Sequence, residues 1–304
     1  MNLQQFHKSF VVKRTALVVT ILVFIFSRFL QMTEANQLIL WGSTIIEIST
    51  ALGLLFLSNR FINIRHRTLL PAVFYLLLMG AGASSFENWD ICIASVCMLF
   101  CLFFLFASYQ QVYSQGSALN IALILTVGSF AWPPLLWFFP VFWYGMYQFK
   151  SLNFRSFFAS LIGFLVVYLF IFTWSVYSND LSFFWNNLPD WQDLIQIQSF
   201  YFTIGEYVLL GYLVILLISS GFNIFISRIS EKIKVLKTLS FLYLVCILVF
   251  VALFLQPNGK DEWFAIHCMT LSFLVSDLFT VADKKATTWG MFITILFLVT
   301  LFFI

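Results

Sequence analysis

Charged residues are scarce in this chain. Of its 304 residues only 10% are Asp, Glu, Lys or Arg, whereas 62% are hydrophobic. Soluble globular domains carry about 25% charged residues, because charge is what covers a surface facing water. The composition therefore excludes an ordinary water-soluble protein. The longest polar stretch, residues 178–203, is too short for a folded domain outside a membrane.

The signatures of common catalytic and binding chemistries are also absent. There is no Walker loop, GxSxG, HExxH or dinucleotide fingerprint. The five cysteines lack the paired spacing of zinc sites, so no metal and no cofactor is predicted. The net charge of +3 includes no dense basic block, and nucleic acid is not an expected partner. The expected partners are membrane lipids and proteins within the membrane.

Long apolar runs fill the sequence. A helix that crosses a bilayer needs about 20 apolar residues, with about 17 as the lower limit. The sequence predicts an all-α, polytopic transmembrane bundle of about 11 spans that forms a single transmembrane domain over residues 1–304. The predicted spans are 15–31, 38–58, 69–84, 91–109, 118–131, 134–148, 156–177, 205–227, 238–256, 263–281 and 287–304. The third, fifth and sixth are short, which indicates either a thinned membrane or helices shielded by neighbours.

The distribution of charge predicts the orientation. Cytoplasmic loops collect Lys and Arg. With the N-terminus inside, all but two of the 16 cations fall in inner segments, the exceptions being Lys260 outside and Arg28 within a span. Most of the acids fall outside. The pattern predicts a cytoplasmic N-terminus and a periplasmic C-terminus. The first span follows basic residues and lacks a cleavage site, so we expect a signal anchor.

The region 118–147 is too long for one helix, and one helix would invert every later loop. Proline lacks the N–H that continues a helix, and the residue before it avoids helical angles. Trp132, Pro133 and Pro134 therefore mark a predicted turn. Two full spans and a re-entrant hairpin both satisfy the charge pattern.

The outer loop 178–203 mixes aromatic rings, including Trp185 and Trp191, with Asp and Asn. This pattern is typical of an amphipathic segment at the membrane interface. An ordinary aromatic belt explains it as well.

Charges inside a bilayer are costly and therefore suggest a site. Arg28 lies near the outer end of the first span, and Glu47 lies roughly 9 Å deeper on the second at 1.5 Å per residue. A long Arg side chain that points inward would meet Glu47, giving either a polar site open to the outside or a structural ion pair. Glu34, Glu87 and Asp90 on the first two outer loops complete the candidate polar site, since paired carboxylates suit glycosyl transfer. Solvated loops are the alternative.

Three further residues are secondary candidates. Glu206 is close to the outer surface, His267 is near the outer end of the tenth span, and Asp277 is one turn from the inner end. A lone His binds metal or moves protons in some proteins, but a satisfied polar residue is the simpler reading here. The sequence gives no residue a catalytic role.

Two segments carry a resemblance. They read NRFINIRHRTLLPAVFYLLLMG and GSFAWPPLLWFFPVFWYGMYQFKSLNFRSFFASLIGFLVVYLFIFTW. The chain resembles a family of uncharacterised multi-pass inner-membrane proteins of Bacteroidetes-type bacteria, which implies a bacterial inner membrane and no particular activity. The residues that carry the resemblance are Asn59, Arg60, Pro71, Pro133, Pro134, Phe154, Arg155 and Gly163.

More distantly, the pattern of breaks and loops is similar to that of membrane glycosyltransferases that use polyprenyl-phosphate sugars. Those enzymes carry an acidic motif in a long first outer loop. Here that loop is 31–37 and holds Glu34 alone.

Three functions follow as hypotheses. The first is a role in envelope glycan or polyprenyl-lipid assembly, as a degenerate transferase or its partner. It predicts an outward cavity that opens toward lipid and is lined by Arg28, Glu34, Glu47 and Glu87. The second is a small-molecule transporter, which predicts broken helices in two repeats. The third is a non-catalytic scaffold of a membrane complex. The outward polar groups favour the first.

Overall fold

The structure, a computed structural model, is helical in every regular element of the residues it describes. This confirms the all-α fold class. The described residues are 14–30, 37–62, 68–82, 89–186, 204–227, 232–256, 259–281 and 285–301. Within them, six helices are long and apolar enough to cross a membrane: Ile39–Phe61, Trp89–Ala107, Phe154–Tyr177, Gly205–Ile226, Ile233–Leu255 and Lys260–Thr280.

The helix boundaries follow the predicted spans closely. In chain order the helices are α1 Arg14–Leu30, α2 Gln37–Leu57, α3 Leu70–Ala81, α4 Trp89–Ala107, α5 Gln115–Gly128, α6 Phe138–Gln148, α7 Phe154–Tyr177, α8 Leu181–Asn186, α9 Ile204–Ser227, α10 Ile233–Leu255, α11 Lys260–Val281 and α12 Lys285–Leu301. The short helix α8 begins the predicted outer loop, whose residues 187–203 lie outside the described part of the chain. A π-helical turn, Ser58–Ile62, follows α2, and a 3-10 segment, Pro133–Trp137, precedes α6.

The chain forms two compact units. Unit 1 consists of Met1–Cys92, Ser199–Phe254 and Lys260–Ile304, and unit 2 consists of Ile93–Gln198 and Leu255–Gly259. The prediction of one transmembrane domain stays a prediction.

Helix α3 is the centre of unit 1. It packs against α1, α2, α11 and α12, and every residue from Leu70 through Gly80 is buried. The ring of Phe74 stacks on Phe279 of α11 at 5.5 Å. A helix that is apolar on every side is typical of a buried position, either in a protein core or in a membrane. Its 12 residues span about 18 Å, less than the hydrocarbon core of about 30 Å, and the four neighbouring helices shield it on its sides.

Helix α10 runs between two clusters of side chains, which therefore lie at opposite ends of unit 1. At one end, Gly82 after α3, Glu206 of α9, Leu253 near the end of α10 and Lys260 of α11 share a pocket. At the other end, Lys234 near the start of α10 lies over the ring of a phenylalanine that follows α2. The charge pattern predicts that the first cluster is periplasmic and the second cytoplasmic.

Unit 2 contains the hairpin predicted for 118–147. Trp132 is extended, with φ −137° and ψ 96°, as the residue before a proline prefers. This confirms the predicted turn and excludes one continuous helix. Helix α5 packs chiefly on α7, and Nε1 of Trp143 on α6 donates to Oγ of Ser160 on α7 at 3.0 Å. The 14 residues of α5 reach about 21 Å, and both a re-entrant hairpin and two full spans stay predictions.

The two loops at the base of this hairpin are tied together by hydrogen bonds. The backbone N–H of Gln110 donates to the carbonyl of Phe149 at 3.1 Å. The side-chain amide of Asn153 donates to the carbonyl of Val112 at 2.9 Å, and the Ser114 hydroxyl donates to the carbonyl of Ser151. The hairpin therefore begins and ends on the same side of unit 2.

The end of α6 offers a test of this geometry. Lys150 has a left-handed φ of 57° in a Schellman motif, in which the N–H of Ser151 donates to the carbonyl of Met146 at 2.9 Å. A non-glycine residue in that conformation costs about 1–2 kcal/mol. Glycine avoids this cost, but it loses more conformational entropy on folding, which cancels part of the gain. We expect Lys150→Gly to stabilise the protein by about 0.5–1 kcal/mol, seen as a higher melting temperature in detergent.

Asn179 provides the matched control. It occupies the same position at the end of α7, with φ 56°, and asparagine tolerates left-handed angles. Asn179→Gly should therefore gain less than Lys150→Gly. A larger gain at Asn179 would contradict the explanation.

Candidate functional site

Arg28 and Glu47 form a buried ion pair in unit 1. Nη2 of Arg28 donates to Oε2 of Glu47 at 3.2 Å, and each residue is 1% exposed. The guanidinium carbon also lies 5.0 Å from the ring centroid of Phe24, one turn earlier on α1, in a cation–π contact. The contact predicted from the depths of the two residues is present.

Polar side chains of α2 and α3 lie next to this pair and are linked to it by short polar contacts. The hydroxyl of Thr50, one turn after Glu47, donates to the carbonyl of Glu47 at 2.7 Å. The same hydroxyl oxygen lies 3.2 Å from the phenolic oxygen of Tyr75 on α3. Helices α1, α2 and α3 are thus joined through one buried polar cluster of Arg28, Glu47, Thr50 and Tyr75.

The Arg28–Glu47 pair is closed to solvent. Removing charges from water costs several kcal/mol per ion, and the pairing offsets only part of that cost. Oε1 of Glu47 has no hydrogen-bond partner among the described residues. Because both side chains are buried, the pair is placed to hold α1 and α2 together.

The other primary candidates are only partly placed. Asp90 is half-buried in the first turn of α4, within unit 1. Glu34 and Glu87 lie outside the described residues. The proposed cluster of outer acids stays a prediction.

The structure shows an accessible pocket beside the partly exposed ion pair of Glu206 and Lys260. Nζ of Lys260 donates to Oε1 of Glu206 at 2.9 Å, and both side chains are partly exposed. The cavity beside this pair measures about 40 Å³, enough for a few waters or a small polar group at about 10–15 Å³ each. It is lined by Gly82, Glu206, Leu209, Leu210, Leu253, Lys260, Asp261 and Phe264.

Packing of α9 against α11 forms this pocket. The pair bridges the first turns of the two helices. Gly82 allows the ring of Phe264 to lie against the end of α3, since a Cβ at Gly82 would come within 2.2 Å of that ring. Sequence reasoning selected Glu206 but missed its partner. The available signal was that Lys260 is the lone cation in a predicted outer loop.

His267 and Asp277 have separate surroundings. His267 is fully buried on α11, where its Nδ1 lies 3.5 Å from Sγ of Cys246 and its ring packs 5.4 Å from that of Phe250. Asp277 accepts a hydrogen bond from the side-chain amide of Asn223 on α9 at 3.1 Å. Each is a buried polar residue with a partner.

Within the described ranges, no group of three or more His, Cys, Asp or Glu side chains is placed to hold a metal ion. Comparison of the chain with protein-family models, curated proteins and solved structures gave no match.

Proposed function

We propose that this protein acts in the assembly of envelope glycans or polyprenyl lipids in a bacterial inner membrane, as a degenerate transferase or its partner. The pocket at Glu206 and Lys260 would bind the headgroup of a lipid-linked ligand. The proposed topology has eleven membrane segments, the N-terminus in the cytoplasm and the C-terminus in the periplasm, with α5 and α6 as a re-entrant hairpin.

The main support for this proposal is the pocket lining, which combines charged and apolar side chains. Lys260, Glu206 and Asp261 supply charged hydrogen-bonding groups, and three leucines with Phe264 supply an apolar wall. An amphiphile needs both, because its headgroup requires polar partners while its chain remains in an apolar environment. The partial exposure of the ion pair leaves its charged groups within reach of a ligand.

The position of the pocket supports an outward-facing role. Its four contributing helix ends all belong to segments that the charge pattern predicts to be periplasmic. Lipid-linked glycans are processed there after their lipid has crossed the membrane. We therefore propose the Glu206–Lys260 pocket, rather than Glu47, as the ligand-binding site.

Lipids that purify with the protein test this proposal. We expect mass spectrometry of the wild-type protein to detect a lipid-linked saccharide, and Glu206→Gln and Lys260→Gln to reduce its amount about tenfold or more. A charge-assisted hydrogen bond contributes about 1.5–3 kcal/mol, and about 1.4 kcal/mol corresponds to tenfold in affinity.

Asp180→Asn is the matched control, because Asp180 is an exposed acid of unit 2 that is also predicted to be periplasmic. It should retain the lipid at wild-type levels. Equal lipid content in all variants would argue against binding at the pocket.

A non-catalytic scaffold is the second candidate, favoured by the closed Arg28–Glu47 pair. A buried pair that serves only to fix helix packing suits a structural subunit. Under this alternative the wild-type protein purifies without a lipid-linked saccharide, and pocket variants leave envelope glycan levels unchanged in cells that depend on the protein.

A further inference from the structure

The geometry points to a second lipid site at the opposite end of unit 1, where Arg60 and Lys234 would bind the phosphate of an anionic phospholipid headgroup. This inference is independent of the Glu206–Lys260 pocket, from which it differs in position and in charge.

Two cations share one aromatic ring at this site. The guanidinium carbon of Arg60 lies 5.5 Å from the ring centroid of Phe61 and 5.6 Å from that of Phe56. Nζ of Lys234, from the start of α10, lies 5.9 Å from the ring of Phe61. Two positive charges are therefore held around one ring from separate helices.

Arg60 lies in a π-helical turn, a rare backbone conformation. Ser58–Ile62 forms a π-helical turn that directly continues α2. A π-turn interrupts regular helical spacing and is found frequently at functional sites. Here it places Arg60 between two phenylalanines of its own segment, Phe56 and Phe61, which keeps the guanidinium beside apolar surface.

The surroundings favour a lipid over a soluble phosphate compound. Phe56 is 54% exposed and Ile233, next to Lys234, is 72% exposed, so apolar side chains flank the cations on the outside of unit 1. The acyl chains of a lipid would pack against such side chains, whereas a free phosphate makes no apolar contact with them. Arginine matches phosphate through paired donors, and lysine adds a point charge. The charge pattern predicts that this end is cytoplasmic, the side on which basic residues meet anionic lipids.

Titration of the purified, delipidated full-length protein with defined lipids tests the site. We expect phosphatidylglycerol to raise the melting temperature of the wild type, while phosphatidylcholine and inorganic phosphate do not. In Arg60→Gln/Lys234→Gln the apparent affinity for phosphatidylglycerol should fall about thirtyfold, from two lost cation contacts.

The matched control is Lys150→Gln/Lys232→Gln, which removes two exposed cations that are also predicted to be cytoplasmic. It should bind phosphatidylglycerol as the wild type does, and Arg60→Lys/Lys234→Arg should bind nearly as well. If the Gln double variant fails to fold, the two single Gln variants replace it, each with an expected loss of about fivefold.

Three results would overturn the inference. The first is unchanged binding in the Gln variants, and the second is an equal loss in the Lys150/Lys232 control, which would indicate general charge attraction. The third is stabilisation by inorganic phosphate to the same extent as by phosphatidylglycerol, which would assign the site to a soluble phosphate compound.

Discussion

Replacing Glu47 with glutamine is expected to lower the free energy of unfolding by about 3–5 kcal/mol. The change removes the carboxylate whose oxygen lies 3.2 Å from the guanidinium of Arg28, a side chain that is only 1% exposed. Arg28→Met should cost a similar amount, because it leaves the Glu47 carboxylate buried without its cation. Unfolding of the purified protein in mixed micelles with increasing denaturing detergent measures the loss.

A double variant separates the ion pair from simple packing. Arg28→Met combined with Glu47→Leu removes both charges and keeps apolar volume, so we expect stability near that of the wild type. Glu206→Gln serves as a control, because its partly exposed partnership with Lys260 should contribute no more than about 1 kcal/mol. A double variant as unstable as the sum of the single variants would show that the two charges act independently.

Replacing Gly163 with leucine is expected to destabilise unit 2 by about 1–3 kcal/mol. A Cβ at Gly163 would lie 2.9 Å from the carbonyl oxygen of Leu119 and 3.0 Å from Cβ of Ala122. Both neighbours belong to the backbone or first side-chain carbon of α5, and neither can rotate away. The substitution must separate α5 from α7, and Gly163→Ala should show a smaller loss.

Gly211 of α9 is the matched control for this substitution. It is exposed, and no atom lies within 4 Å of the position of its missing Cβ. Gly211→Leu should be neutral or stabilising, since glycine within a helix is about 1 kcal/mol less favourable than alanine. Comparable losses at both positions would mean that the close approach of α5 and α7 is not the cause.

The sequence predicts most of the secondary structure because the helices are long apolar runs with clear interruptions. Pro133 and Pro134 locate the turn between α5 and α6, since proline prevents a continuous helix there. The contact between Arg28 and Glu47 is predictable from depth alone, because α1 and α2 are neighbours in the chain and a buried charge needs a partner.

The arrangement of distant helices is not predictable in this way. Glu206 and Lys260 meet because α9 packs on α11, and hydropathy says nothing about which apolar helix contacts which. The closure of the Arg28–Glu47 pair depends in the same way on packing by α3, whose Tyr75 reaches Thr50. Periodicity cannot identify α3 as central, because a helix apolar on every side has no preferred face.

The central place of α3 has a consequence for biosynthesis. Two of its packing partners, α11 and α12, are the latest described helices to leave the ribosome, long after α3 has been made. Until α11 and α12 are synthesised, only α1 and α2 of these four partners are available to pack on this 12-residue helix. Unit 1 therefore completes the packing around α3 only after α12 has been synthesised.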